Sequence, residues 1–295
     1  MTAMEREEIL KTYKIYIGGA FPRTESGRYY PLTGRKGLLA NICLCSKKDV
    51  RNAVTAARSA FAGWSSRAAF NRSQVLYRIA EMLEGRKAQF ISELLVMGAN
   101  KKDAERELAL AIDRLVYYAG WCDKYQQVFS SVNPVSSSHY NFSVPEPTGV
   151  VAVLAPETSS LVGLVSVIAP VIASGNTCVA LASEGKPLCA ISFAEVIHSS
   201  DVPAGVVNIL TGRSAELLPH LSGHMDVNAL VYCRSDAAEI KAVQENAALN
   251  VKRIVIRRES WMKESAQNPY FILDTTEIKT TWHPVEQTGA AKAGY

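Results

Sequence analysis

The stretch Gly149–Ser183, GVVAVLAPETSSLVGLVSVIAPVIASGNTCVALAS, decides the fold. Val150 to Leu154 is a short apolar run, and Ala155-Pro156-Glu157 turns the chain. Leu161 to Ala173 is longer and apolar, Ser174-Gly175-Asn176 breaks it, and Cys178 to Leu181 is apolar again. Short apolar runs between turn residues read as buried strands, and the longer middle run reads as a helix. The unit is β-α-β, which specifies a parallel sheet with helices on its faces.

The 295 residues suit one large domain or two modest ones. At 48% hydrophobic and 20% charged, the composition is that of an ordinary globular protein. The net charge of +4 is scattered, and Lys47-Lys48 and Arg257-Arg258 are too short to track phosphates, which argues against nucleic-acid binding. Six cysteines (Cys43, Cys45, Cys122, Cys178, Cys189 and Cys233) form no C-x-x-C, and no histidine pair stands at metal-ligand spacing. The charged opening MTAMEREEILKTYK lacks the apolar region of a secretory signal. Leu161–Ala173 is too short for a membrane span and contains Pro170. These features predict a cytoplasmic protein with reduced thiols, without nucleic-acid or membrane partners and without a metal.

The rest of the chain is placed around this unit. Residues 1–12 read as a frayed, charged lead-in, and Tyr13–Ile17 as a strand that returns through Gly18-Gly19. Leu38–Cys45 is a further short apolar run. Ser46 and Asp49 form a capping box for a helix carrying Val50, Val54, Ala57, Phe61 and Trp64. A second helix is expected from about Asn71 to Leu95, closed by Gly98-Ala99-Asn100, and a third from about Asp103 to Gln127. Ser130–Ser138 reads as a loop, and His139–Val144 as a strand that Pro145-Glu146-Pro147 ends. From Gly149 to Ile256 strands and helices alternate, giving a doubly wound α/β sheet. Arg257–Pro269 shows no period, Tyr270–Pro284 reads as an alternating β-rich run, and 289–295 as a disordered tail.

Several motifs together resemble the aldehyde dehydrogenase superfamily. They are Ala155-Pro156, the IAPVIASGNT run ending at Thr177, Ser183-Glu184, PAGVVNILTG at Pro203–Gly212, Asp226-Val227 and NVKRIV at Asn250–Val255. The opening YIGG, AARSAFAGW and NRSQVLYRIAE segments and the closing TEIKTTW resemble the same family. The resemblance covers almost the whole chain and is nearest to the degenerate second half of the two-copy (family 16) aldehyde dehydrogenases. It implies a Rossmann-like parallel sheet, an N-terminal helical segment and a small projecting oligomerisation sheet. The implied division is a dinucleotide-fold domain over 1–258, with 139–145 projecting, then a linker over 259–269 and an oligomerisation strand over 270–288.

The departures from the family pattern concern its chemistry. Thr158 stands where the family has the asparagine of its oxyanion site, and losing one such donor costs on the order of 10²–10³ in rate. Leu181 replaces the lysine that binds the cofactor ribose, and Arg234 the glycine of the turn near the nicotinamide side. Arg257 replaces the glutamate that activates water, and an arginine is no base at ordinary pH. Only about a dozen residues separate Arg257 from Tyr270, where the family carries a whole catalytic domain with its nucleophilic cysteine; a domain needs roughly 50 or more. No cysteine follows Cys233.

The residue-level reading is therefore of a vestigial site. Ser183, Glu184, Gly212 and Ser235 are the candidate cofactor-binding residues, with Ser183 reading more readily as a helix cap and Gly212 as turn chemistry. Cys178 and Cys189 read as core thiols. Cys233, beside Arg234, is the one thiol with a plausible route to a lowered pKa, although a structural role suits it better. No catalytic residue is assigned and no cofactor is expected, NAD or NADP being the class if any binds. The leading expectation is a pseudoenzyme that serves as structural or regulatory subunit, pairing with itself or with a full-length aldehyde dehydrogenase. The rivals are an NAD(P)-dependent aldehyde oxidiser with a non-standard site and a nucleotide-binding module.

Overall fold

The computed structural model describes residues 11–34 and 37–285, so the expected tail at 289–295 lies outside the described residues. Strands β1 (Tyr29–Gly34) and β2 (Gly37–Cys43) pair antiparallel. Helices α1 (Lys47–Ser65), α2 (Ala69–Gly85), α3 (Lys87–Val96), α4 (Lys101–Trp121) and α5 (Tyr125–Phe129) follow. The capping box at α1 is present: the Asp49 carboxylate accepts from the Ser46 backbone N–H at 2.7 Å and from its hydroxyl at 2.9 Å. Then come β3 (Ser131–Asn133), β4 (His139–Pro147), β5 (Val150–Leu154), α6 (Val162–Ala173), β6 (Thr177–Leu181), α7 (Leu188–His198), β7 (Val207–Leu210) and α8 (Ser214–Gly223). The chain continues with β8 (Ala229–Tyr232), α9 (Ala237–Ala248), β9 (Arg253–Ile256), α10 (Tyr270–Leu273) and β10 (Thr276–Pro284).

The parallel sheet has the order β7-β6-β5-β8-β9, the doubly wound α/β arrangement expected. Its strands alternate between two cores. Val150, Ala152, Leu154, Val179, Leu181 and Tyr232 pack with residues of α1, α8 and α9. Val151, Val153, Cys178, Ala180, Ala229 and Val231 pack with α2, α4, α6 and α7. Both faces are covered, so β5 and β6 read as unbroken apolar runs. α6 is buried along its whole length, which is why its sequence shows no polar stripe.

Six local expectations are corrected. Tyr13–Ile17 is not a strand: Tyr13 bridges Ile42, Tyr16 bridges Ile209 and Ile17 bridges Ala20, one residue each, so no ladder extends. The expected second helix is two, because the chain bends at Arg86 after Gly85, a residue with a high entropic cost in a helix. The expected third helix likewise ends at Trp121 and restarts at Tyr125. Within the expected loop 130–138, Ser131–Asn133 forms β3; its register with β4 is held by the Asn133 amide donating to Asn141 (2.6 Å) and Ser143 (2.9 Å), a polar device that apolar periodicity does not reveal. β4 runs on through Pro145 and Pro147, because β3 ends before them and the N–H groups the prolines lack have no partner strand on that side. Tyr270–Leu273, expected as strand, is the helix α10, and β10 begins only at Thr276.

The segment between β9 and β10, read as a linker, is packed against the body. Trp261, Ala266, Phe271 and Ile272 are buried in the core shared with α4 and α6. Arg114 of α4, only 1% exposed, holds this bridge: its guanidinium donates to the carbonyls of Ala266 (2.8 Å), Trp261 (3.1 Å) and Lys263 (2.7 Å) and to the Ser166 hydroxyl. Burial pushes the Arg114 pKa down, and these acceptors compensate a guanidinium that has no carboxylate partner among the described residues. Tyr118 adds a hydroxyl bonded to the Asn268 carbonyl at 3.3 Å. Arg114→Ala would strand three buried carbonyls at about 1–3 kcal/mol each. The expected outcome is a stability loss of about 3–5 kcal/mol by urea unfolding, with hydrogen exchange accelerated across 258–275. Unchanged exchange in that segment would contradict the bracing role.

Candidate functional site

In a doubly wound sheet ligands bind outside the carboxyl ends of the strands, where strand order reverses. Here that point lies between β5 and β8, since the chain leaves β5 toward β6 on one side and returns as β8 on the other. A cleft of about 710 Å³ opens there, with Glu157, Arg213, Arg234, Ser235, Arg257 and Trp261 in its lining.

Its floor is occupied by side chains. Arg234 follows β8 and reaches back across the sheet. Its Nε donates to the Ala155 carbonyl after β5 at 3.1 Å, and its Nη2 to the Ala182 carbonyl after β6 at 3.2 Å. The same Nη2 pairs with Glu157 Oε1 at 2.8 Å. Glu157 Oε2 accepts from the Ser183 hydroxyl at 2.7 Å and from the Glu184 N–H at 2.9 Å. The start of α9 is also filled: the Asp236 carboxylate accepts from the N–H groups of Ala238 (2.8 Å) and Glu239 (2.9 Å).

The four candidate cofactor residues divide. Glu184 and Ser235 line the cleft. Ser183 is turned to Glu157 and accepts from the Lys186 N–H at 3.1 Å, closing a turn; it does not cap α7, whose cap position is Pro187. Gly212 lies off the cleft. Its φ of +147° and a built Cβ 3.2 Å from the Cys45 nitrogen show a glycine required by close packing of β7 on the segment after β2.

Thr158 sits at the rim, where its carbonyl accepts from Lys186 Nζ at 3.2 Å. Leu181 is fully buried. Arg257 is buried over the Phe271 ring, 3.4 Å from its centroid, and pairs with Asp274 at 2.8 Å. It is committed to the bridge, a role that charge reading alone did not show.

All six cysteines are buried. Burial pushes the Cys233 pKa up to about 12, outweighing the opposite pull of Arg257 and Arg234. Burial likewise raises Cys178 and Cys189. None of these three is a poised thiolate. Among the described residues no group of three or more potential ligands could hold a metal, and no helix is long and apolar enough to cross a membrane.

Sequence reading missed two residues of importance here. Glu157 stands where the family pattern has tryptophan, and with Arg234 it forms an opposite-charge pair; two complementary charges at two altered motif positions were the available signal. Glu107 of α4 carried no such signal. Its Oε1 accepts from the N–H groups of Ser160 (3.1 Å), Leu161 (2.8 Å) and Val162 (3.2 Å), capping α6 from another helix.

The lining does not fit a dinucleotide. The strand-end carbonyls are taken, the helix N-terminus already holds a carboxylate, and a second carboxylate stands beside it.

Comparison with known proteins places this geometry. The chain matches the aldehyde dehydrogenase family over residues 25–294. It is 32% identical to a putative aldehyde dehydrogenase, DhaS, of Bacillus subtilis over 255 residues, 83% of this chain and 50% of that protein. It is 31% identical to the cytosolic 10-formyltetrahydrofolate dehydrogenase of Mus musculus, covering 85% of this chain and 29% of that protein. In fold it superposes on an NAD+ complex of aldehyde dehydrogenase from Bacillus cereus with a TM-score of 0.79 at 24% identity, over 83% of this chain and 50% of that one. HpcC from Thermus thermophilus aligns with the same TM-score, 0.79, at 27% identity, over 83% of this chain and 48% of that one. The chain thus spans half or less of the length of these relatives. With the match running through nearly the whole sequence, the chain belongs to the aldehyde dehydrogenase family.

Proposed function

We propose that this chain is a non-catalytic member of its family that serves as a structural or regulatory subunit, pairing with a full-length aldehyde dehydrogenase or with a second copy. The observation that carries the reading is the projecting sheet β10-β4-β3. β10 pairs with β4 along all nine of its residues, and among the described residues no strand pairs with its other edge. Ile278 (53% exposed) and Trp282 (56%) project on one face, Val132 (63%) and Tyr140 (48%) on the other. A small sheet with open edges and apolar residues on both faces is an aggregation hazard unless a partner covers it. The free thiols suit a reducing, cytoplasmic setting.

The rival enzymatic reading needs a nucleophile, and the thiolate is the reactive species. Every thiol here is buried, and five of them are held protonated by burial. The expected outcome with an aromatic disulfide reagent at pH 8 is less than one fast-reacting thiol in the native protein and six after unfolding. Rapid stoichiometric labelling that Cys233→Ser removes, with NADH formed from an aldehyde, would instead establish the enzyme.

The same thiols set a pH dependence. Their unfolded-state pKa is about 8.5, and burial raises the folded values, to about 12 at Cys122 and Cys233. Above pH ~8.5 the unfolded chain holds fewer protons than the folded one, so stability is full below that pH and falls as it rises toward 12. Lys252, lowered by burial to about 8, acts oppositely between there and ~10.4, but it is one group against five. Urea midpoints at pH 7.5 and pH 10 are expected to fall, and an equal or higher midpoint at pH 10 would contradict the burial.

Pairing is tested by native mass spectrometry of the chain alone and mixed with a full-length aldehyde dehydrogenase from the same source. We expect a homodimer or a mixed assembly, and monomer from the Ile278→Lys/Trp282→Lys variant at unchanged circular dichroism. A wild-type monomer that ignores the enzyme would refute the subunit reading.

A further inference from the structure

The crevice of a doubly wound sheet normally keeps three things free for a dinucleotide: strand-end backbone groups, room at a tight turn, and the N–H groups of a helix start. In this chain the carbonyls after β5 and β6 and the N–H groups at the start of α9 are satisfied from within. The Arg234 guanidinium, on a side chain only 8% exposed, bonds the carbonyls that follow β5 and β6. Its counter-ion Glu157 gathers the hydroxyl of Ser183 and the N–H groups of Glu184 and Gly185. One ion pair thereby ties together the loops after β5, β6 and β8.

The dependence is one-sided. Arg234 alone would leave a nearly buried guanidinium with no anion, whereas Glu157, more exposed, keeps the donors of Ser183, Glu184 and Gly185. Asp236 adds a second carboxylate at the start of α9. A pyrophosphate entering here would have to displace the first pair and face the second carboxylate.

We propose that Arg234 and Glu157 form an internal plug that stands in for the dinucleotide, bracing the strand ends while excluding NAD and NADP. The inference concerns the isolated chain and stands apart from the pairing proposed above, so its failure leaves that reading untouched, and the reverse.

The test is calorimetric titration of the purified full chain with NAD and with NADP, alongside thermal melts. Wild type is expected to show no saturable binding up to ~5 mM. Glu157→Ala is expected to lower Tm by roughly 3–8 °C, because it strands the guanidinium. Adding Arg234→Gly to it is expected to recover part of that loss and to open the crevice, giving at least a tenfold gain in nucleotide affinity. Wild-type binding tighter than ~1 mM would overturn the plug. So would additive Tm losses in the double variant, or a folded double variant with no gain in affinity. Should the double variant not fold, the wild-type titration and the Glu157→Ala melt decide: binding tighter than ~1 mM or an unchanged Tm overturns the plug, and the reverse supports it.

Discussion

A parallel sheet buried on both faces leaves polar backbone in one accessible place, the carboxyl ends of its strands. Helices cover the faces, but the carbonyls after each strand still require donors. In this protein the donor is Arg234, and its charge is balanced by Glu157 at 2.8 Å. The pair contributes less through net stability, which desolvation largely offsets, than through occupancy. It occupies the carbonyls that follow β5 and β6, which a ligand at the crevice would otherwise meet.

The bridge after β9 answers a second demand. The chain must travel from the sheet to β10 across the surface of α4 and α6, and the segment available is short. Its apolar side chains, Trp261, Phe271 and Ile272, face that surface, while Arg114 collects the carbonyls that the irregular backbone leaves unpaired. Arg257, at the end of β9, is drawn into the same work by Asp274 and the Phe271 ring. Two arginines that charge counting would place on the surface are structural. Beyond the bridge, the projecting sheet holds Val132, Tyr140, Ile278 and Trp282 in water.

The central β-α-β unit, the alternation to Ile256 and the α1 capping box were legible because each rests on neighbours in sequence: apolar runs, turn residues and a local carboxylate. The errors fall where a remote partner overrides local pattern. β3 exists because Asn133 finds Asn141 and Ser143. β4 tolerates Pro145 because β3, on the side its nitrogen faces, ends before it. Tyr270–Leu273 coils because Phe271 and Ile272 must turn into the core.

The candidate site was half legible in the same way. Motif spacing located Glu184 and Ser235 at the cleft and marked Arg234 and Arg257 as departures. It did not show that Arg234 would meet Glu157, that Arg257 would meet Asp274, or that Glu107 would cap α6. The sequence by itself determined the layered fold and the departures at the family's motif positions, since both are written in local pattern and residue type. Only the tertiary structure decided what the residues at those positions bind, because a charge has no partner until folding brings distant loops within about 3 Å of each other.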